Sequence, residues 1–323
     1  MICILHGYLL EGSGSNVWTR AIAQALCRVG QPVHLVCQEP HPEIYDFITA
    51  ADIHMPDGSV SRRFERGSPY PASCVMHQPK LGDTLPVYVS TPDRYEEFSN
   101  VVPMVTLNDD EIEAYLARNV EVVTRVVEKE GITSILANHA VLMSVVAERV
   151  SAATGVPFAI MPHGSAIEYV VKKDQRFHAL ATSAFERAAR IFAHGHEMRQ
   201  RVIETFPLVT GVEQKIGTLN LGVDTGVFEL IGRDGRAGTL KALNASVADR
   251  PRGMPAAVVD EQRQRLGADI DRETLVQLCS DMRGHTTKLP DADIEDKLGR
   301  VDWQNDEILL FVGRLISSKG LQG

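Results

Sequence analysis

The chain has 323 residues, 44% of them hydrophobic, and a formal net charge of −9 at pH 7. That length and apolar content support two domains with real cores, and the acidic balance argues against general nucleic-acid binding and leaves no polybasic membrane patch. Cys3, Cys27, Cys37, Cys74 and Cys279 are odd in number, widely spaced and without a CxxC pair, so reduced thiols fit better than a disulfide framework or a structural zinc site.

Met1-Ile-Cys-Ile-Leu5 is a short apolar run that opens the chain as a buried strand. Glu11-Gly-Ser-Gly-Ser-Asn16 follows, and then a helix with Val17, Ala21, Ile22, Ala25, Leu26 and Val29 on one side. Strand, glycine-rich turn and helix open a nucleotide-handling α/β domain. Gly12 and Gly14 let the backbone approach a ligand, and free N–H groups at the helix start favour an anion. A plain tight βα turn would look the same. Gln31–Cys37 reads as a second strand after the Gly30 helix stop. A dinucleotide dehydrogenase with Glu39 holding a ribose is one reading of this unit. Gly12-x-Gly14-x-x-Val17 lacks the third glycine of that fingerprint, which makes it the runner-up.

Residues 50–100 are rich in turn formers, with strand-like pieces at Ser73–His77 and Leu85–Val89, and predict a hairpin or excursion from the main sheet. Asn108-Asp-Asp-Glu111 has capping-box spacing and starts a long helix with apolar Ile112, Tyr115, Val122, Val123, Val126 and Val127, stopped by Gly131. Next come a strand over Ile132–Ala137 ending on Asn138-His139, and a helix from about Val141 to Ala153. A strand over Val156–Met161 ends on His163-Gly164-Ser165, and another over Arg190–Ala193 ends on His194-Gly195-His196. Repeated βα units specify a parallel sheet with helices on both faces.

Three successive strands therefore deliver a histidine at the carboxyl end, where open α/β sheets bind ligands. A lone histidine there is usually a turn or capping residue; recurrence at equivalent ends tips His139 and His163 toward function. His194 and His196 have no third ligand at metal spacing and read as structural.

Lys215–Asn220 predicts a further strand, followed by Leu221-Gly-Val-Asp224 and Phe228. From 229 to 306 the composition turns polar, with moderately apolar helical pieces at Asp260–Leu266 and Glu273–Asp281, consistent with a helical insert or linker. Glu307–Val312 is a buried-strand pattern running into Gly313-Arg314-Leu315 and Ser318-Lys319-Gly320. A strand that opens a domain and stops after one turn cannot bury its own faces, so a truncated second Rossmann-like domain, or one supplied from elsewhere, is expected. The expected division is 1–228, 229–306 and 307–323.

The motif order resembles the amino-terminal half of a retaining glycosyltransferase of family 4, a group with the GT-B fold. The resemblance is carried by Gly12-Ser-Gly-Ser15, Asn138-His139, His163-Gly164, Gly222-Val-Asp224 with Phe228, and Gly313-Arg-Leu315 with Lys319-Gly320. It covers about 1–228 and resumes at Glu307. It implies two facing Rossmann-like domains and a nucleotide-diphosphate sugar in the cleft. Gly12, Ser13 and Gly14 would approach the donor diphosphate or the acceptor, and Arg314 and Lys319 would neutralise the leaving diphosphate. His139 matches the histidine near the reacting carbon, and His163 one on the acceptor side. Glu168 is positioned to help bind an acceptor, although a solvated helix-start carboxylate is its simpler role. Neither a metal nor another cofactor is implied. The family's Glu-x7-Glu motif has no place in these residues, which puts autonomous catalysis in question.

The expected activity is hexose transfer from a nucleotide-diphosphate sugar to a small-molecule or glycan hydroxyl acceptor, with retained configuration. The alternatives are an NAD-dependent oxidoreductase and a non-catalytic acceptor-binding module. The apolar start is too short and lacks the basic leader of a signal peptide, and no run approaches the about 20 apolar residues of a membrane span. A cytoplasmic protein without nucleic-acid partners is expected, with peripheral membrane contact still open.

Overall fold

Short apolar runs whose alternate residues bury on opposite faces build the sheet. In β1 (Ile2–Leu5), Cys3 and Leu5 join one core cluster and Ile4 the other, the period of two that a strand imposes. The computed structural model describes residues 1–88, 95, 98–267, 270–283 and 289–311. The chain divides into two units, Met1–Gly222 and a second beginning at Val223.

In the first unit, β1 is followed by α1 (Gly14–Arg28), β2 (Val33–Val36), β3 (Ile48–His54), β4 (Val60–Glu65), β5 (Cys74–Pro79), β6 (Thr84–Val87) and β7 (Asn100–Pro103). Then come α2 (Asp109–Glu130), β8 (Ser134–Asn138), α3 (Met143–Thr154), β9 (Phe158–Met161) and α4 (Gly164–Ala166), which runs on as a π-helical stretch over Ile167–Val171. The unit closes with α5 (Gln175–Arg187), β10 (Arg190–Ala193), α6 (Gly195–Thr205), α7 (Val212–Lys215) and β11 (Ile216–Thr218). Nine strands form one sheet in the order β11-β10-β9-β8-β1-β2-β5-β3-β4. Pairing is parallel except where β4 runs antiparallel to β3 at the edge. The expected α/β architecture, a mostly parallel sheet between helical layers, is present.

α2 starts in the predicted capping box: the Glu111 N–H donates to Asn108 Oδ1 at 2.9 Å and the Asn108 N–H to Glu111 Oε2 at 2.8 Å. All six of its predicted apolar positions are buried, against a core that also holds Phe177, Phe185 and Phe206. The opposite core places Ala23 and Cys27 of α1 on Leu35, Phe47 and Met76.

Three expectations change. Ser73–His77 belongs to no excursion: β5 lies inside the main sheet between β2 and β3. Only β6 and β7 leave it, as a parallel pair of their own. α1 turns a different face inward, burying Asn16, Thr19, Ala23 and Cys27 while Val17 is 43% and Val29 78% exposed; the two polar residues are buried because they satisfy one another's neighbours, as shown below. Glu307–Phe311 forms no strand, and Leu309 and Leu310 are exposed. Strand backbone is stabilised by a pairing partner, and among the described residues none lies beside it. Val312, Arg314 and Lys319 lie outside the described residues.

The second unit contains α8 (Arg233–Val247), α9 (Ala256–Gln264), α10 (Arg272–Arg283) and α11 (Ile294–Gly299). Val247 and Leu278 are its buried apolar side chains among the described residues, as expected from helices without a strong apolar stripe. No helix among the described residues is long and apolar enough to cross a membrane.

Candidate functional site

The carboxyl ends of four neighbouring strands, β1, β8, β9 and β10, each release a histidine: His6, His139, His163 and His194. Because β8 sits beside β1, the four rings form a row. Centroids lie 5.6 Å apart for His6 and His139, 4.7 Å for His139 and His163, and 5.9 Å for His163 and His194. Exposure grows along it: His6 and His139 are buried, while His163 and His194 reach the surface. Tyr8 and Tyr88 wall the buried end, with the Tyr88 ring 4.4 Å from His139. Their hydroxyls donate to the Pro86 and Val141 carbonyls, so they shape the site without offering it a polar group. Placing Tyr88 is what the β6–β7 excursion contributes.

His6 anchors the glycine-rich loop. Its Nε2 faces the Leu9 carbonyl and Asn16 Oδ1, both at 3.0 Å and both acceptors, which requires the proton on Nε2. Its Nδ1 faces Thr19 Oγ1 at 3.1 Å and Asn138 Nδ2 at 3.4 Å, and Asn138 also donates to Thr19 Oγ1 at 2.7 Å. This network ties the ends of β1 and β8 to the first turns of α1. Sequence reasoning missed His6, Asn16 and Thr19; the signal was there in His6, which follows its strand as the other three follow theirs. The loop's other side is held by Glu39, whose carboxylate accepts from the Leu10 and His41 N–H groups and from Tyr45. A carboxylate so committed is a poor ribose ligand, which disfavours the dehydrogenase reading.

Within this frame Gly12 adopts φ +90°, a conformation that favours glycine. Ser13 caps α1 by accepting from the Asn16 N–H at 3.3 Å, and Gly14 is its first helical residue. His139 has φ +73°, uncommon for a side-chain-bearing residue and the kind of strain that clusters at functional sites; its N–H is held by the Met161 carbonyl at 2.8 Å. Gly164 is where Arg201 passes: an added Cβ would lie 2.8 Å from its Nη1. Arg201 pairs with Glu197 and, at 3.5 Å, with Glu168, which also takes Lys172 at 2.6 Å. Glu168 is thus a committed, half-exposed ion-pair partner. His196 is exposed and His194 half-buried, and no group of three or more His, Cys, Asp or Glu among the described residues is arranged to hold a metal.

Burial keeps the imidazoles neutral. It pushes His6 down to about 4 and His139 well below its usual value, with His163 and His6 adding to the effect at His139. Burial, then His6 and His194, lower His163 to about 3, and burial lowers His194. Among the described residues Asn138 Oδ1, both His139 nitrogens, His163 Nε2 and His194 Nδ1 are buried without a hydrogen-bond partner. Buried polar atoms without partners are rare and costly. A neutral imidazole both donates and accepts, which suits hydroxyl groups.

No family model matches this sequence, and no curated protein does. Solved structures similar to the chain include a sucrose-phosphate synthase from Thermosynechococcus elongatus, at 14% identity over 74% of this chain and 52% of that one, with TM-score 0.47. An α,α-trehalose 6-phosphate synthase from Burkholderia multivorans is similar at 14% identity over 88% of this chain and 68% of that one, with TM-score 0.43. A UDP-GlcNAc 2-epimerase from Neisseria meningitidis is similar at 10% identity over 82% and 53%, with TM-score 0.34. The chain spans about half the length of the first and third of these.

Proposed function

We propose that the first unit is the acceptor-side half of a retaining glycosyltransferase of the family 4 type, which moves a hexose from a nucleotide-diphosphate sugar to a hydroxyl acceptor. The observation that carries the reading is the set of unpartnered polar atoms on Asn138, His139, His163 and His194. They line one edge of the sheet where α/β folds bind ligands, and they match a polyhydroxylated molecule. His139, deepest of the unpartnered rings, takes a hydroxyl of the transferred sugar near its reacting carbon. His163 orients the acceptor, with Glu168 at the rim. As neutral groups these imidazoles position hydroxyls by hydrogen bonds and are not strong bases. That suits front-face attack, in which the departing phosphate receives the acceptor proton.

Gly12, Ser13 and Gly14 approach the donor diphosphate, where the start of α1 favours an anion, and Arg314 and Lys319 supply the cations that stabilise its departure. The mechanism needs no metal or other cofactor. We assign the reaction to the cytoplasm, a reading supported by the buried free thiols of Cys3, Cys27, Cys37 and Cys74.

Nucleotide release from a panel of UDP-, GDP- and ADP-sugars tests the reading, on this chain and on any longer form its coding sequence encodes. One nucleotide class should be released, and His139→Ala should lower the rate about tenfold or more, the worth of one lost buried hydrogen bond. Absence of release from every donor, together with NAD binding, would overturn it in favour of the oxidoreductase. Saturable sugar binding without release would favour the non-catalytic module, which the neutrality of the row equally allows.

A further inference from the structure

Trp18 lies in the first turns of α1, four residues after Gly14, and its ring meets His163 edge-on at 5.8 Å and 67°. Side chains on a helix lean toward its amino end and cover the residues three and four positions back. For Trp18 these are Ser15 and Gly14. Gly14 contributes no side chain, and a Cβ added there would meet nothing within 4 Å. The half-buried indole therefore borders the open space over Gly14 on one side and the half-buried His163 ring on the other. The ring it meets, His163, carries a buried Nε2 without a partner, and the next ring in the row, His194, a buried Nδ1 likewise.

A flat aromatic surface next to neutral hydrogen-bonding atoms is complementary to a pyranose ring: its C–H face packs on the indole while its hydroxyls reach the imidazoles. Trp and Tyr suit this role because they offer large apolar area at little entropic cost. The guanidinium over Gly164 is committed to Glu168 and Glu197, which disfavours a phosphorylated sugar. Resting on the glycosyltransferase reading above, we propose that Trp18 is the stacking platform for the acceptor, and that this acceptor is a neutral pyranose with a hydroxyl held by His163.

The chain has two tryptophans, so Trp303→Phe leaves Trp18 as the sole indole reporter. In that variant, glucose, mannose, galactose and N-acetylglucosamine are titrated while Trp18 emission is followed, with glycerol and inorganic phosphate as the comparison probes. At least one pyranose should change the emission saturably where glycerol and phosphate do not. By calorimetry, Trp18→Ala should weaken binding of that sugar about tenfold or more, and Trp18→Phe by no more than about threefold. A panel in which no pyranose changes the emission, an equal response to glycerol or phosphate, or a Trp18→Ala protein that binds the sugar as the unsubstituted one does would each overturn the proposal. Nucleotide release by the unsubstituted protein is read in parallel. Release without pyranose binding removes the platform and leaves the transferase, and pyranose binding without release does the reverse.

Discussion

Lowering the pH from 7.5 to 5.5 should destabilise the first unit by about 5 kcal/mol through its histidines alone. A second chain of imidazoles crosses the sheet away from the site: His34 of β2 meets His77 of β5 (Nδ1 to Nε2, 2.9 Å), and His77 meets His54 of β3 (Nδ1 to Nε2, 3.1 Å). Each contact needs one N–H and one lone pair, and His77 spends both nitrogens on them, so a proton added to His77 sets two donors face to face. Burial pushes His77 down to about 3, helped by His34 and His54, and pushes His54 down to about 4 against the pull of Asp52. His6 and His139 are neutral for the same reason, and all four are at most 3% exposed. In the unfolded chain each titrates near 6.5. Their contribution is therefore complete above that value and is lost as the pH falls from 6.5 toward the folded-state values, because only the unfolded state takes up the protons. Each group loses about 1.4 kcal/mol per pH unit in that window, and four together lose about 5 kcal/mol by pH 5.5, a large part of a typical stability. Urea unfolding followed by Trp18 emission in the Trp303→Phe protein should show the midpoint falling by about 2 M over this range. A midpoint that holds steady to pH 5.5 and falls only where carboxylates titrate, near pH 4, would refute the neutral-imidazole argument.

Two smaller perturbations probe the frame around the site. Gly7 has φ +76°, and an added Cβ would sit 3.2 Å from the Met143 side chain; Gly7→Ala should cost about 1–3 kcal/mol in denaturant unfolding, and an unchanged midpoint would count against that geometry. Asn108→Ala removes the capping box of α2 and should cost about 1 kcal/mol in the same assay, with Asn108→Asp, which retains the acceptor, close to the original.

Much of the first unit is legible because its signals are local. The capping box at Asn108 and Glu111, the glycine stops at 131 and 155 and the apolar strands depend on a few adjacent residues, and each appears where its pattern places it. β5 misled because Ser73–His77 lies among turn formers, while its place between β2 and β3 depends on pairing with residues 41 and 26 positions away, Val33 and Ile48 meeting Cys74. The inward face of α1 misled for a different reason. Hydrophobic periodicity cannot foresee that Asn16 and Thr19 are buried as partners of His6 and Asn138.

The residue sequence by itself determined the βα alternation, the class of sheet and the appearance of histidines at strand ends, since each follows from short-range periodicity and turn chemistry. Tertiary structure alone decided that β1 lies beside β8. That adjacency joins His6 to a row with His139, 133 residues later, and the packing around it makes the imidazoles neutral and leaves several of their nitrogens without partners. Strand order is set by which faces bury best together, and protonation by the solvent that packing removes. Both are properties of the assembled sheet.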